Sequence, residues 1–474
     1  MKKHLYINGT WKETNYYEKL VAPYSGEQLA DIAQASLEDV KEAVSAAKQA
    51  TKTMAALSSY ERSAILERVV EELSRRKEEL TRIIALEAAK PLKAARGEVE
   101  RTIQTYKVAA EEAKRITGTI VPIDAAPGAQ NRTAYTLRKP IGVIAAITPF
   151  NFPMNLVAHK VGPAIASGNT VVLKPASQTP LSALVLAEIM ETAGLPKGAF
   201  NIITGKGSLV GEALVKDERV AAITFTGSPE VGIAMKSKAG LKRVTLELGS
   251  NSAVIIDKHT KLSRDLIERC KWGAFVYNGQ VCISVQRIFV HESLHEEFVQ
   301  KLSTAVGSLH IGDPLDEQTD ITALISKKEV IRMEHWIGEA VEKGARIIYG
   351  GKAINDRVFA PTILANVPTS CFVQCKEVFG PVVSVNSFST IEEAIEEVNN
   401  SKYGLQAGIF TNDLSVAMKA VEELEVGGVM VNDVPTFRVD HMPYGGVKES
   451  GTGKEGIKYA IEEMTELKLV CFTL

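Results

Sequence analysis

Cys282 closes the segment Tyr277-Asn278-Gly279-Gln280-Val281-Cys282, and Glu247 ends the β-rich run Val244-Thr245-Leu246-Glu247-Leu248-Gly249. A thiol in a glycine-containing loop and a carboxylate at a strand end are the nucleophile and base of covalent acyl chemistry. Sulfur bonded to a carbonyl carbon must later be released by water, and water at neutral pH needs a proton acceptor. Each residue also has a plainer reading. A lone cysteine is commonly a small buried hydrophobe, although Asn278, Gly279, Gln280 and Ser284 make a polar loop poorly suited to core packing. Glu247 on an alternating strand can face solvent, and Asn151, between Phe150 and Phe152, can be a turn residue.

Such groups need a scaffold. From Pro140 onward the chain repeats strand, glycine turn and helix: 142–147 then 156–165, 170–173 then 181–193, 201–204 then 209–216, 221–225 then 230–238. Short buried strands alternating with helices imply parallel crossovers, so the fold class is α/β with a doubly wound parallel sheet. Ligands of such sheets collect at the carboxyl ends of the strands. The turns Gly205-Lys206-Gly207-Ser208-Leu209-Val210-Gly211 and Phe225-Thr226-Gly227-Ser228 fall there. Neither is a G-x-G-x-x-G fingerprint. Two consecutive strand–glycine–helix turns still offer free backbone N–H groups and positive helix ends to phosphate oxygens; glycines that merely turn the chain are the alternative. Lys174-Pro175-Ala176-Ser177 puts a cation and a hydroxyl where an acidic residue would repel a 2′-phosphate, so NADP is acceptable.

At 474 residues the chain exceeds one ordinary core, and two or three domains are expected. Lys+Arg 55 against Asp+Glu 57 leaves a net charge of −2, with no global field for nucleic acid or an acidic membrane. The N-terminal Met1-Lys2-Lys3-His4-Leu5 lacks a signal-peptide apolar core, and no apolar run spans a bilayer; a soluble cytoplasmic protein is expected. Five cysteines without CxxC spacing suit reduced thiols. No metal site is expected: Cys371 and Cys375 lack further ligands, and His291 with His295 lacks the glutamate placement of a zincin. Residues 37–117 read as long amphipathic helices, and a second α/β section runs from 251 to about 446. The strands 467–472 and 132–137 each need an edge, within the chain or on a neighbouring subunit.

The chain resembles the NAD(P)-dependent aldehyde dehydrogenase superfamily over nearly its whole length. The matching segments include Lys90-Pro91 with Arg96-Gly97-Glu98, Pro149-Phe150-Asn151-Phe152-Pro153, Val172-Leu173-Lys174-Pro175-Ala176, Leu246-Glu247-Leu248-Gly249, Gly279-Gln280-Val281-Cys282, Glu377-Val378-Phe379-Gly380-Pro381 and Pro443-Tyr444-Gly445-Gly446. The resemblance implies a coenzyme-binding domain (1–117 and 139–249), a second α/β catalytic domain (250–456) and a small β oligomerisation flap (118–138 and 457–474) in a homodimer or homotetramer. It implies Cys282 as nucleophile, Glu247 as general base, and the Asn151 amide with the Cys282 backbone N–H as oxyanion hole. The coenzyme, NADP or NAD, would meet Lys174, Ser177, Phe225, Thr226, Gly227, Ser228, Glu377 and Phe379, along with Thr148, Pro149, Phe150, Gly207, Gly211, Val231 and Leu248. Ser177, standing where the family usually has an acid, favours NADP, as in the similar succinic semialdehyde dehydrogenases.

The implied reaction oxidises a small polar aldehyde to its acid through a Cys282 thiohemiacetal and a thioester. His159, Arg438 and His441 could receive an anionic or hydroxylated aldehyde, since arginine forks suit carboxylate, phosphate and sulfonate. The stretch 432–443 is similar to members acting on lactaldehyde, on glyceraldehyde 3-phosphate without phosphorylation, on phosphonoacetaldehyde or on related small polar aldehydes. Arg438 paired with Asp440 or Glu449 is the structural alternative, Arg287 reads as structural, and Val281 before the cysteine argues against a phosphorylated substrate. A CoA-acylating relative or a catalytically silent binding protein are the competing functions; Glu247 argues against the first, and Cys282, Glu247 and Asn151 together against the second.

Overall fold

The computed structural model describes all 474 residues. Helices Leu37–Ala56, Ser59–Arg75, Lys77–Ala88 and Leu92–Ala113 fill the region read as amphipathic. Two begin with capping boxes, Ser36 with Asp39 and Ser58 with Glu61, in which side chains satisfy the free N–H groups of a first turn.

The first large sheet has five parallel strands in the spatial order Arg243–Glu247, Val220–Thr226, Val143–Ile147, Thr170–Lys174, Phe200–Ile202. Strand order reverses at Val143–Ile147, the first of them in sequence, which makes its carboxyl end a topological switch point where a crevice opens. Antiparallel strands close both edges: Gly451–Thr452 beside Arg243–Glu247, and the hairpin Leu5–Ile7 with Thr10–Lys12 beside Phe200–Ile202. Where the sequence suggests a helix over 209–216, a π-type turn Gly207–Gly211 precedes the short helix Glu212–Lys216. Gly205, at φ 151°, bends the chain into it.

The second sheet is ordered Arg346–Tyr349, Thr362–Ala365, Val382–Phe388, Arg287–His291, Ala253–Ile256, Gln406–Phe410, Gly428–Val431, all parallel but for the first pair. A third, antiparallel sheet joins Thr465–Thr473, Arg132–Pro140 and Ile120–Val121. The two strands that needed an edge therefore pair with each other. Helix Ile457–Glu463, expected with this small sheet, instead buries Ile457 and Ile461 in the core shared with Val157, Ile165 and Tyr106. Its apolar face leaves it no stable place on a thin ribbon. No helix is long and apolar enough to cross a membrane.

Candidate active site

Cys282 follows a backbone of unusual shape. Tyr277 and Asn278 sit in the left-handed region at φ 49° and 55°, ahead of Gly279 at φ 68°. Such conformations cost non-glycine residues about 1–3 kcal/mol each and persist only where the surroundings enforce them. Here the Tyr277 hydroxyl donates to the Ala88 carbonyl (2.9 Å), and Asn278 accepts from the Thr322 N–H (2.9 Å) while donating to the Ala323 carbonyl (2.9 Å). Gln280 accepts from the Ile325 N–H at 3.1 Å. The loop so held presents Cys282 partly exposed, with Sγ 3.0 Å from the Tyr444 hydroxyl. Burial pushes the thiol up to about 11, and the Tyr444 hydrogen bond works against that shift.

The Asn151 amide donates to the Gln280 carbonyl at 3.0 Å, which ties its loop to the cysteine loop and leaves the second amide N–H for another acceptor. Behind it, the buried Lys90 ammonium reaches the Asn151 carbonyl (2.6 Å) and Glu98 (2.5 Å), and lies 3.8 Å from the Phe152 ring centre and 4.3 Å from that of Tyr277. The other Glu98 oxygen accepts from the N–H groups of Met154 (2.9 Å) and Asn155 (3.2 Å), the start of helix Asn155–Ala166.

Glu247 is buried at its strand end, and neither carboxylate oxygen has a hydrogen-bond partner. Burial, then the nearby Glu455 carboxylate, drive its carboxyl well above the usual range. Glu455 is buried too, yet Lys160 at 2.8 Å and Arg438 at 3.0 Å hold it well below that range. Two neighbouring carboxyl groups with affinities for protons pushed apart are an arrangement suited to acid–base chemistry, and of the two Glu247 is the one without a hydrogen-bond partner. Gly445, at φ 157°, makes room for it: a Cβ there would stand 3.0 Å from Glu247 Oε1 and 2.7 Å from the Gly453 carbonyl.

A cleft of about 690 Å³ opens at the switch point. Thr148 and Pro149 come from the end of one strand, Lys174 and Ser177 from the next, and Phe225, Thr226, Gly227 and Ser228 from a third. Gly207, Gly211 and Val231 complete the wall expected from the sequence. The Lys174 ammonium has no carboxylate, only the Pro175 carbonyl at 3.0 Å, and burial pulls it down to about 8. Buried hydroxyls of Thr148 and Thr226 are likewise unpartnered. Unpaired donors around a crevice at a switch point fit a dinucleotide's hydroxyls and phosphates. Phe150, Leu248, Glu377 and Phe379 lie outside that wall. Phe150 and Phe379 meet edge to face at 5.7 Å, Glu377 accepts from the Ser250 N–H (3.0 Å), and Leu248 packs against Gly232. Gly249 lets Glu377 lie close, since its Oε2 would stand 2.8 Å from a Cβ there. Ser208, Gln178 and Lys238 also line the cleft; Lys238 is the last residue of helix Pro229–Lys238, too far along it to be read with the glycine turn at its start.

The aldehyde dehydrogenase family matches residues 11–470. The chain belongs to the aldehyde dehydrogenase family. It is 51% identical over 472 residues to the 3-sulfolactaldehyde dehydrogenase of Priestia aryabhattai, covering 99% of this chain and 98% of that one. Aldehyde dehydrogenase 21 from Physcomitrella patens, solved with the reaction product succinate, superposes with a TM-score of 0.97 at 42% identity, covering 100% and 98% of the two chains. The glyceraldehyde-3-phosphate dehydrogenase of Methanocaldococcus jannaschii, complexed with NADP, gives 0.93 at 40% identity over 97% and 100%. This aldehyde dehydrogenase is thus an oxidoreductase that converts an aldehyde to its acid using NAD(P).

Within the aldehyde dehydrogenase, the three residues expected to receive substrate part company. The Arg438 side chain is 5% exposed and bound to Glu455, neither to Asp440 nor to Glu449, which pairs with Lys402. His159 is buried between Asp440 (2.9 Å) and Arg438 (3.2 Å), and burial followed by the Arg438 charge lowers its proton affinity, keeping it neutral. His441 is exposed. Asp440 is taken by Arg101 at 2.7 Å, whose side chain is 32% exposed and stands 5.9 Å from the Phe152 ring. Arg101 was legible only as the residue one turn after Glu98. Arg287 is buried and donates to the carbonyls of Asn251, Glu397 and Val398, a structural role. His291 caps helix Glu292–Val306 by accepting from the Ser293 N–H.

Proposed function

We propose that this enzyme oxidises a small anionic or hydroxylated aldehyde to its carboxylic acid, with Cys282 as nucleophile, Asn151 as oxyanion donor and Glu247 as base. One observation supports the assignment above others: the Tyr444 hydroxyl lies 3.0 Å from the Cys282 sulfur, and at the adjoining Gly445 only the lack of a Cβ leaves room for the Glu247 carboxyl. Cys282 sulfur attacks the carbonyl carbon, and the oxygen's growing charge is met by the free Asn151 N–H and the Cys282 backbone N–H. A donor so placed is worth about 10²–10³ in rate. When bound, the oxidised nicotinamide supplies the hydride acceptor. The thioester left on Cys282 is hydrolysed by water that gives its proton to Glu247.

The substrate's anionic end is assigned to Arg101, the cation of this cluster that keeps contact with solvent, with the exposed His441 next in sequence to its partner Asp440 and the buried Arg438 and His159 behind it. The named relatives handle a sulfonate, a carboxylate and a phosphate, three anions an arginine fork suits. Lys174 and Ser177 favour NADP over NAD. The outer edge of strand Thr465–Thr473, with Leu467, Leu469 and Phe472 exposed, is assigned to contact with a second copy in a homodimer or homotetramer.

The test is a panel of small aldehydes with each coenzyme, read by absorbance of the reduced nicotinamide. Cys282→Ala is expected to abolish turnover, and Arg101→Ala to raise KM about tenfold or more for sulfonated and carboxylated aldehydes with little change for propanal. Equal effects on propanal would remove Arg101 from recognition. Turnover that required CoA would establish the acylating reaction instead.

A further inference from the structure

We infer that the Tyr444 hydroxyl donates a hydrogen bond to the Cys282 sulfur and stabilises its thiolate form, with Arg438 strengthening that donor from behind. The inference rests on Cys282 being the nucleophile.

The thiol's surroundings leave it few helpers. Glu247 is buried with neither carboxylate oxygen hydrogen-bonded, so it makes no hydrogen bond to the thiol. One Asn151 amide N–H is engaged with the Gln280 carbonyl, and the other makes no hydrogen bond to the sulfur. Tyr444 is 3.0 Å from Sγ, and the sulfur is the one polar partner of its buried hydroxyl. With no second acceptor, the phenol has no path along which to pass a proton onward. It can stabilise charge on sulfur but not relay the proton, which leaves for solvent through the partly exposed mouth.

The ring is fixed from two sides. The Tyr444 N–H donates to the Glu455 carbonyl at 3.0 Å, and the Glu455 N–H donates back at 2.6 Å. The Glu455 side chain in turn holds Arg438, whose guanidinium carbon lies 3.6 Å from the centre of the Tyr444 ring. A cation against an aromatic face is attracted by its electron density and withdraws from it. The O–H so polarised donates better, and a hydrogen bond to a charged acceptor is stronger than one to a neutral group. Arg438 thereby has a use that its burial permits, as a positioning residue acting through the ring. Phenylalanine at this place would fill the same space and give the sulfur nothing.

The experiment measures alkylation of Cys282 by iodoacetamide, a neutral reagent, against pH in the coenzyme-free enzyme, with the labelled peptide identified by mass. Tyr444→Phe is expected to slow labelling about tenfold near neutrality and to move the curve about one pH unit upward. The rates of both proteins should meet at high pH, where each thiol is ionised. A constant ratio at every pH would mean altered access, and superimposable curves would mean no effect; either overturns the inference. If wild-type inactivation tracked labelling of another cysteine, the nucleophile assignment itself would fall. Should Tyr444→Phe not fold, 3-fluorotyrosine at position 444, a more acidic donor of nearly the same shape, is expected to move the curve to lower pH. An unmoved curve would sink the inference equally.

Discussion

Burial raises both groups proposed to react, the Cys282 thiol and the Glu247 carboxyl, and Glu455 adds to the second shift. Glu247 can act as a base only after losing its proton. Because its affinity for that proton lies above the ordinary carboxylate range, the ionised fraction keeps growing as pH rises past that range. Thioester hydrolysis in the wild type is therefore expected to accelerate with pH through and above the region where an exposed glutamate would already be fully ionised. Glu247→Gln should remove this rise and slow deacylation about 10²-fold or more, so that rapid quench finds acyl-enzyme accumulating after one burst of reduced coenzyme. A burst-free Glu247→Gln enzyme would place the slow step before the thioester. The residue types and their neighbours on the chain announced both groups. The shifts did not show, because they come from burial, made by the packing of remote segments, and for Glu247 also from Glu455, which is remote from it in sequence.

Helix Leu92–Ala113 and the loop at Asn151 are locked by a single buried pair, Lys90 with Glu98. Lys90 also grips the Asn151 carbonyl, and Glu98 the first N–H groups of the next helix. Removing one member of a buried ion pair strands the other charge at a cost of about 3–5 kcal/mol. Lys90→Met is expected to lose that much stability in denaturant titration and to lower kcat by loosening Asn151. Lys90→Met with Glu98→Leu should recover much of the stability but not the rate, since the clamp on the carbonyl stays absent. Full recovery of both would show that the pair does nothing for the oxyanion donor. Lys90-Pro91 and Glu98 were visible as a motif without a role, because nothing in a helix and the turn before it says that the turn's lysine will reach a carbonyl 61 residues onward. Arg101, on the same helix, stayed hidden for the same reason.

Across the molecule, the strand Thr465–Thr473 pairs on one side with Arg132–Pro140 and leaves its other edge unpaired, and its Leu467 and Leu469 are exposed. An open apolar edge is a template for another chain. Leu467→Lys with Leu469→Lys is expected to lower the mass seen in size-exclusion chromatography with light scattering to that of a smaller assembly, leaving the coenzyme cleft intact. An unchanged mass would place subunit contact elsewhere. The helix Ile457–Glu463 ties this strand to the first core, so a charge on the outer edge should not unfold the rest.

Alternating apolar strands, glycine turns and helical periodicity were enough to read the α/β class, the parallel crossovers, the crevice at the strand ends and the chemistry of thiol, amide and carboxylate. These are local patterns, fixed by side-chain period and backbone sterics. The partners were settled by packing alone: Arg438 with Glu455 and not Asp440 or Glu449, Asp440 with Arg101, Lys90 beneath Asn151, and Tyr444 on the sulfur. A buried charge must find its counter-charge in space, and several equally suitable acids stood near each base along the chain. Which of them met depended on how two sheets and the turns between them closed around one reactive carbon.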